Sequence, residues 1–341
     1  MRPCEADASV ESQRIFVPPC GGMEIVMKKI VVLDAGTLGD DLSLAPLEAE
    51  GEVTVYRLSP PETIRERIAG ADAVILNKVK IGEAQLPDEG APGIICVAAT
   101  GFDNIDLDAC RRHGVAVANV RGYSSESVMQ VTVGLVLSLL NRLPTYCRAT
   151  ADGSYTHGGN ANMLTPTYHE VAGLTWGVVG AGKIGTRVAD VARALGCRIL
   201  TNRLHPDGVS VDLETLLRAS DIVTVHTPLT PETRGLIGET ELSMMKDGAI
   251  LVNMARGAVT DEAAVARAVI EGKLGALGCD VYSTEPFPEN HPYYGIRERE
   301  NVLLTPHMSW GAYEARARCL SEMILNMRAF FKGEQRNRVD L

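Results

Sequence analysis

The sequence predicts an α/β protein built on two parallel sheets, and three observations carry that expectation. Short apolar runs alternate with polar, helix-forming stretches, and they do so in two separate series. The chain has 341 residues, more than one hydrophobic core usually serves, since a domain commonly takes about 100 to 200. A glycine-rich turn joins a strand to a helix at the head of the second series.

The first 22 residues hold Pro3, Pro18, Pro19, Gly21 and Gly22 and lack the apolar run of a signal peptide. Residues 1–26 are therefore expected to be a disordered leader or the product of a start codon assigned too far upstream. Met27-Lys-Lys-Ile-Val-Val-Leu then opens as a first strand. Apolar runs at residues 30–33, 53–56, 73–76, 94–98 and 115–118 form the first series, separated by helical stretches such as 61–69. The most apolar stretch, 128–140, is interrupted by Gln130, Thr132, Gly134 and Ser138 and is shorter than the roughly 20 residues of a membrane span, so it reads as a buried helix. Residues 145–169, rich in Gly, Asn, Thr and Tyr, show neither periodicity and read as an arm or linker. The second series runs from Thr175 through 198–201, 222–225, 249–253 and 276–280 to 302–304. An apolar-periodic run at 312–331 closes the chain as a helix, and no fixed-period repeat is present.

Composition narrows the function. The chain is 45% hydrophobic and 22% charged with 33 glycines, as expected of a globular protein. Its net charge of -10, without clustered Lys and Arg, argues against a nucleic-acid surface and for a small-molecule partner. The eight cysteines are scattered with no Cys-x-x-Cys pair, which points to a reduced, cytoplasmic setting. His113, His157, His169, His205 and His291 have no companions at metal-ligand spacing, so no metal is expected.

Gly180-Ala-Gly-Lys-Ile-Gly185 directly follows the strand at 176–179 and opens a helix at 186–195, the context a dinucleotide fingerprint requires. Gly180 permits the tight turn, Gly182 lets a pyrophosphate approach the backbone, and Gly185 lets helix and strand pack closely. Lys183 and Ile184 lie between them, at a helix N-terminus that attracts anions. The next strand ends at Thr201-Asn202-Arg203, where an NAD-specific site would carry an acidic residue for the adenosine ribose. No carboxylate is present and Arg203 suits a 2′-phosphate, so NAD(P)(H) is the expected cofactor, with NADP(H) used at least as well as NAD(H).

Three further strand ends each supply one ionisable residue: Asn253-Met-Ala-Arg-Gly gives Arg256, Asp280-Val-Tyr-Ser-Thr-Glu-Pro gives Glu285, and Thr305-Pro-His-Met-Ser-Trp gives His307. Together these segments resemble the signatures of the D-isomer-specific 2-hydroxyacid dehydrogenases. In the reaction that resemblance implies, a 2-keto acid reduced by hydride becomes an alkoxide that must gain a proton, and an imidazolium donates one near neutral pH. A forked, permanent cation suits the substrate carboxylate and the polarised carbonyl. Residues 98–106, with Thr100 and Gly101, resemble that family's substrate loop, and Val225-His-Thr-Pro-Leu-Thr230 resembles its cofactor loop. Val32-Leu-Asp-Ala-Gly, the Asn77-Lys78 pair and Trp310 are most similar to the glycerate dehydrogenase and hydroxypyruvate reductase subgroup.

The resemblance implies two Rossmann-like domains, one flavodoxin-like and one dinucleotide-binding, with the cofactor domain (124–306) inserted into a substrate domain formed by 27–123 and 307–341. It implies that Arg256, Glu285 and His307 are catalytic, with His307 as general acid in reduction and Glu285 orienting its ring and raising its pKa. Asn77, Lys78, Thr100, Gly101 and Trp310 would bind substrate, Thr100 and Gly101 through backbone N–H groups. Gly180, Gly182, Lys183, Ile184, Gly185, Asn202, Arg203, His226, Thr227, Pro228, Thr233, Met254, Ala255 and Asp280 would hold the cofactor, Asp280 through the nicotinamide carboxamide. It further implies a homodimer involving the apolar helix 127–140, and a cleft between two domains leads us to expect closure about hinges near Gly122 and Pro306. Two rivals share the plan: an NAD(H)-sensing corepressor, marked by a long partner-recruiting tail, and a formate or phosphite dehydrogenase.

Overall fold

A computed structural model describes residues 27–203 and 208–341. The expected leader, 1–26, lies outside the described residues. Two parallel sheets form, as the two apolar series require. The first contains β1 (Lys28–Val32), β2 (Gly51–Val55), β3 (Ala73–Leu76), β4 (Ile94–Val97) and β5 (Ala116–Ala118), in the order β2-β1-β3-β4-β5. The second contains β6 (Thr175–Val179), β7 (Arg198–Asn202), β8 (Ile222–Val225), β9 (Ala249–Asn253), β10 (Leu274–Cys279) and β11 (Val302–Leu304), in the order β11-β10-β9-β8-β6-β7. Strands β3, β4, β6, β8 and β9 are buried along their whole length, which explains why they read as unbroken apolar runs rather than alternating ones. Strand order reverses between β1 and β3 and again between β6 and β8, and each reversal opens a crevice at the carboxyl ends of the strands.

The chain crosses between the sheets twice. After β5 the helix Ser125–Leu140 buries Val128, Leu135, Val136 and Leu139 against Trp176, Val178, Ile250 and Val252 of the second sheet. After β11 the helix Tyr313–Phe331 returns to the first sheet, packing Ala315, Cys319, Leu320, Met323 and Met327 against Ile30, Val32, Ile75 and Cys96. Beyond it, the Val339 N–H donates to Val117 O and the Asp340 carboxylate accepts the Val117 N–H, sewing the chain end to β5.

One sequence expectation needs correction. Within the stretch read as a structureless arm, a helix spans Leu143–Ala151 and a short turn of helix spans Ser154–His157. In the longer helix only Ala149 is buried, so no repeating apolar face existed to announce it. The helix after the glycine turn also begins early, at Lys183, and Gly185 is why it fits. A Cβ there would lie 2.3 Å from Gly180 O.

The crevice between β1 and β3 is organised by one buried carboxylate. Asp34, 2% exposed, accepts the N–H groups of Asn77 (2.9 Å), Lys78 (2.6 Å) and Val79 (3.1 Å). Burial raises its pKa, and the three donors work against that rise. From the other side the Asn104 amide donates to Asn77 O and Val79 O. The loop that carries Lys78 is thereby gripped on both sides. Asp34→Asn leaves one acceptor oxygen where the loop presents three donors. We expect a loss of about 1–3 kcal/mol in urea unfolding, together with reduced kcat/KM because the loop borders the cleft.

Candidate active site

The carboxyl ends of the two sheets face each other across a cleft. From the second sheet come Arg256 after β9, Glu285 after β10 and His307 after β11; from the first come Asn77 and Lys78 after β3 and Thr100 and Gly101 after β4. All of these border connected hollows, joined by Ile184, Met254, Ala255 and Trp310. The three strand ends that looked unrelated in sequence thus converge on one space.

His307 occupies the left-handed region at φ 51°, and its Nδ1 lies 2.7 Å from Glu285 Oε2. The other Glu285 oxygen accepts the Tyr282 N–H at 3.0 Å, which fixes the carboxylate. Burial pushes the Glu285 pKa up, but the His307 hydrogen bond and charge, the Tyr282 N–H and the Lys78 charge outweigh it and hold the pKa below the ordinary value. A carboxylate accepts only, so Nδ1 carries the proton and Nε2 is the nitrogen free to exchange one. Lys78 adds an unexpected neighbour: its Nζ is 3.2 Å from Nδ1 and 3.9 Å from Glu285 Oε2. Burial pulls the Lys78 pKa down, and Glu285 opposes that.

Arg256 donates through Nη1 to Ala255 O at 2.8 Å, and its Nε lies 3.6 Å from Asp103 Oδ1 on the facing loop. The rest of the guanidinium lies against Gly101, where a Cβ would come within 1.9 Å of Nη2. The Thr100 carbonyl accepts from Asn119 Nδ2 and its hydroxyl donates to Val120 O, so the loop is anchored from behind. Among the described residues, the Thr100 and Gly101 N–H groups have no protein acceptor. An anion beside Arg256 therefore finds a forked cation and spare backbone donors together.

Asp280 is fully buried and directed at the protein itself. It accepts the Thr305 hydroxyl at 2.5 Å and the N–H groups of Met308 and Ser309 at 3.0 Å each, so it holds the turn from which His307 projects. Sequence reading places it against the nicotinamide and does not foresee this clamp. Nor does it foresee Asp34, Asp103 or the contact of Lys78 with the His307 ring. The signal for Asp34 was present, as a carboxylate one residue beyond Leu33 at a sheet's switch point.

A second open groove passes Ser125, Gly182, Lys183, Thr186, Arg187 and Arg203. Gly180, at φ 91°, lies so close to the facing loop that a Cβ would be 2.5 Å from Thr227 N, whereas Gly182 faces open space. A helix N-terminus without acidic residues in its first turn, reached over a bare glycine, fits a pyrophosphate. Ile184 borders the catalytic hollow and its neighbour Lys183 the groove, so one helix start serves both. On the facing loop, Thr233 donates to Pro228 O at 2.6 Å and accepts the Thr230 N–H at 2.7 Å, bracing residues 228–233. Asn202 turns its amide to Val211 O at 2.9 Å. Burial pushes the His226 pKa down to about 3, and both its ring nitrogens lack partners among the described residues. No group of three or more potential metal ligands occurs among the described residues. Gly101→Ala must displace the Arg256 fork, so we expect kcat/KM to fall at least tenfold with thermal unfolding little changed.

Comparison with known proteins agrees with this geometry. Residues 133–309 match the model of the D-isomer specific 2-hydroxyacid dehydrogenase NAD binding domain. Glycerate dehydrogenase of Methylorubrum extorquens is 35% identical over 317 residues, spanning 92% of this chain and 99% of that one. Hydroxypyruvate reductase of Blautia hydrogenotrophica is 33% identical over 325 residues, again spanning 92% and 99%. Among solved structures, the TT0316 protein of Thermus thermophilus superposes with a TM-score of 0.80 at 31% identity, covering 91% of this chain and 99% of that one. D-lactate dehydrogenase of Aquifex aeolicus, solved with NAD and lactic acid, superposes with a TM-score of 0.78 at 28% identity, covering 90% and 96%. With a glycine turn that fits a dinucleotide and a paired imidazole facing a forked cation, this chain belongs to the D-isomer specific 2-hydroxyacid dehydrogenase family.

Proposed function

We propose that the chain reduces a small 2-keto acid to a D-2-hydroxy acid at the expense of NAD(P)H, with hydroxypyruvate and glyoxylate as the leading substrates and D-glycerate and glycolate as products. The observation that carries this reading is the His307–Glu285 pair at 2.7 Å, set across a hollow from Arg256. The names of the similar enzymes, glycerate dehydrogenase and hydroxypyruvate reductase, support the substrate class over the sensor and the one-carbon or inorganic anion. In this reading residues 27–123 and 307–341 are the substrate domain and 124–306 the cofactor domain.

The bound nicotinamide supplies or accepts the hydride. Arg256, with the Thr100 and Gly101 N–H groups, holds the substrate carboxylate and draws charge onto the carbonyl oxygen. His307 gives that oxygen a proton from Nε2 in reduction and takes it back in oxidation, while Glu285 keeps Nδ1 protonated and the ring oriented. Asn77 and Trp310 border the hollow and limit the size of the substituent on the keto carbon. Asp280 serves the nicotinamide carboxamide in addition to its loop contacts, since its two oxygens offer about four acceptor sites. Gly182 leaves the pyrophosphate room at the helix start with Lys183 beside it, while Gly180 and Gly185 let the turn and the helix pack closely behind it; Asn202 and Arg203 attend the adenosine ribose, and Arg203 favours a 2′-phosphate. His226, Thr227, Pro228, Thr233, Met254 and Ala255 line the cofactor's other side.

No single helix among the described residues is long and apolar enough to cross a membrane. The six described cysteines are unpaired, which supports a cytoplasmic setting. A homodimer built on the helix Ser125–Leu140 and the arm after it would cover Leu143, Leu164 and Tyr168, all exposed in the single chain. Light scattering should give twice the chain mass, and a monomer would refute the dimer.

Three further outcomes are expected. Assayed on a panel of 2-keto acids with both cofactors, the enzyme should turn over hydroxypyruvate or glyoxylate and use NADPH at least as well as NADH. A tenfold or greater preference for NADH in kcat/KM would overturn the cofactor reading. Arg256→Ala and His307→Ala should each lower kcat/KM by several powers of ten, and wild-type turnover in either variant would end the catalytic assignment. The Glu285 pKa lies below its ordinary 4.5, so the pairing adds stability above that value and loses it as pH falls through the lowered one. Urea titrations from neutral to acid pH should accordingly show the stability gap between wild type and Glu285→Gln closing on the acid side.

A further inference from the structure

We propose that Lys78 is a positioning residue that weakens the grip of His307 on its proton, acting from the opposite lobe of the cleft. The inference rests on the reading of His307 as the proton donor and goes beyond it, because it assigns the donor's strength to a group outside the pair. Lys78 Nζ lies 3.2 Å from Nδ1, the nitrogen turned away from the reacting one. Nδ1 has a single in-plane site, and Glu285 Oε2, at 2.7 Å, already takes the proton there. The ammonium therefore cannot be a hydrogen-bond donor to the ring in either protonation state used in catalysis. Its effect on the ring is electrostatic: a cation at this distance disfavours the imidazolium and shares the Glu285 charge that would otherwise stabilise it.

The placement is built rather than incidental. Asp34 fixes the Lys78 backbone N–H at 2.6 Å and the N–H groups on either side of it, and Asn104 holds the same loop by its carbonyls. Besides Glu285, the charges around His307 among the described residues are Arg256, Asp103 and Lys80, which border the same hollow, Arg297, which borders the neighbouring one, and Asp280, which grips the turn behind it. All of these remain when Lys78 alone is replaced, so the comparison isolates its contribution.

The reduction requires His307 protonated, so its kcat/KM falls as pH rises through the His307 pKa. Removing the cation should move that alkaline limb upward, and the acid limb of the reverse oxidation should move in the same direction. The experiment measures pH profiles of hydroxypyruvate reduction for wild type, Lys78→Gln, Lys78→Met and Lys78→Arg, with circular dichroism to verify folding and His307→Ala as control. The expected result is an upward shift in Gln and Met and a limb near the wild-type position in Arg. A uniform loss of kcat with the limb unmoved, or a downward shift, would overturn the proposal. So would unfolding of both neutral variants, which would make Lys78 structural. Should His307→Ala retain turnover, the limb would not belong to His307 and the underlying reading would fail instead.

Discussion

Two buried carboxylates, one at the carboxyl edge of each sheet, hold the loops on which the chemistry depends. Asp34 gathers three successive N–H groups beyond β3, and Asp280 gathers the Thr305 hydroxyl and two N–H groups beyond β11. A loop leaving a parallel sheet at its carboxyl edge has lost its ladder partners, and buried donors without acceptors cost about 1–3 kcal/mol each. A carboxylate offers about four acceptor sites and suits several donors at once. The same solution on both sides of the cleft makes two loops rigid, and those loops deliver Lys78 and His307 to within 3.2 Å of each other.

The contacts that span the cleft are of a different kind. Arg256 meets Asp103 only at 3.6 Å, and Asp103 is 65% exposed; Lys78 is 46% exposed against Glu285. Ion pairs this open to solvent contribute about 0–1 kcal/mol. They align the lobes while adding little to the stability of either. Gly122, at φ 79°, sits in the first crossing, where a left-handed residue without a side chain turns the chain from one lobe to the other. Rigid loops on weakly joined lobes suit a site that must admit two substrates and then exclude water.

Much of this was legible in the sequence because it is local. Each strand announced itself as an apolar run, and the glycine turn, Arg256, Glu285 and His307 each stand at the end of such a run. What escaped depends on contacts between distant positions. The return of the helix Tyr313–Phe331 to the first sheet has no local mark, and only the family resemblance implied it. Lys78 and His307 are 229 positions apart, and nothing near either one signals the other. Asp280 was assigned to the cofactor because its neighbours resemble a motif, whereas its loop-holding role required knowing that residues 305–309 fold back over it. The helix Leu143–Ala151 was missed for a different reason, having no apolar face to bury.

Three histidines show how differently the fold engages one residue type. His291 pairs with Glu262 at 2.9 Å, much as His307 pairs with Glu285, yet its second nitrogen accepts the Tyr293 N–H and its side chain is only 4% exposed among Tyr282, Phe287 and Tyr293. With both nitrogens engaged, that pair has no proton to offer and serves to fix the segment running on from Glu285. Among the described residues His226 has both ring nitrogens unpaired and no carboxylate on either, and burial of the ring keeps it neutral far below physiological pH. Of the three, only His307 combines a carboxylate on one nitrogen with a second nitrogen left for the hollow that Arg256 also borders. The imidazole–carboxylate pair is therefore not itself the mark of chemistry. With His307 read as the proton donor, competence comes from leaving one nitrogen unclaimed by the protein and giving it a space in which a substrate oxygen can arrive.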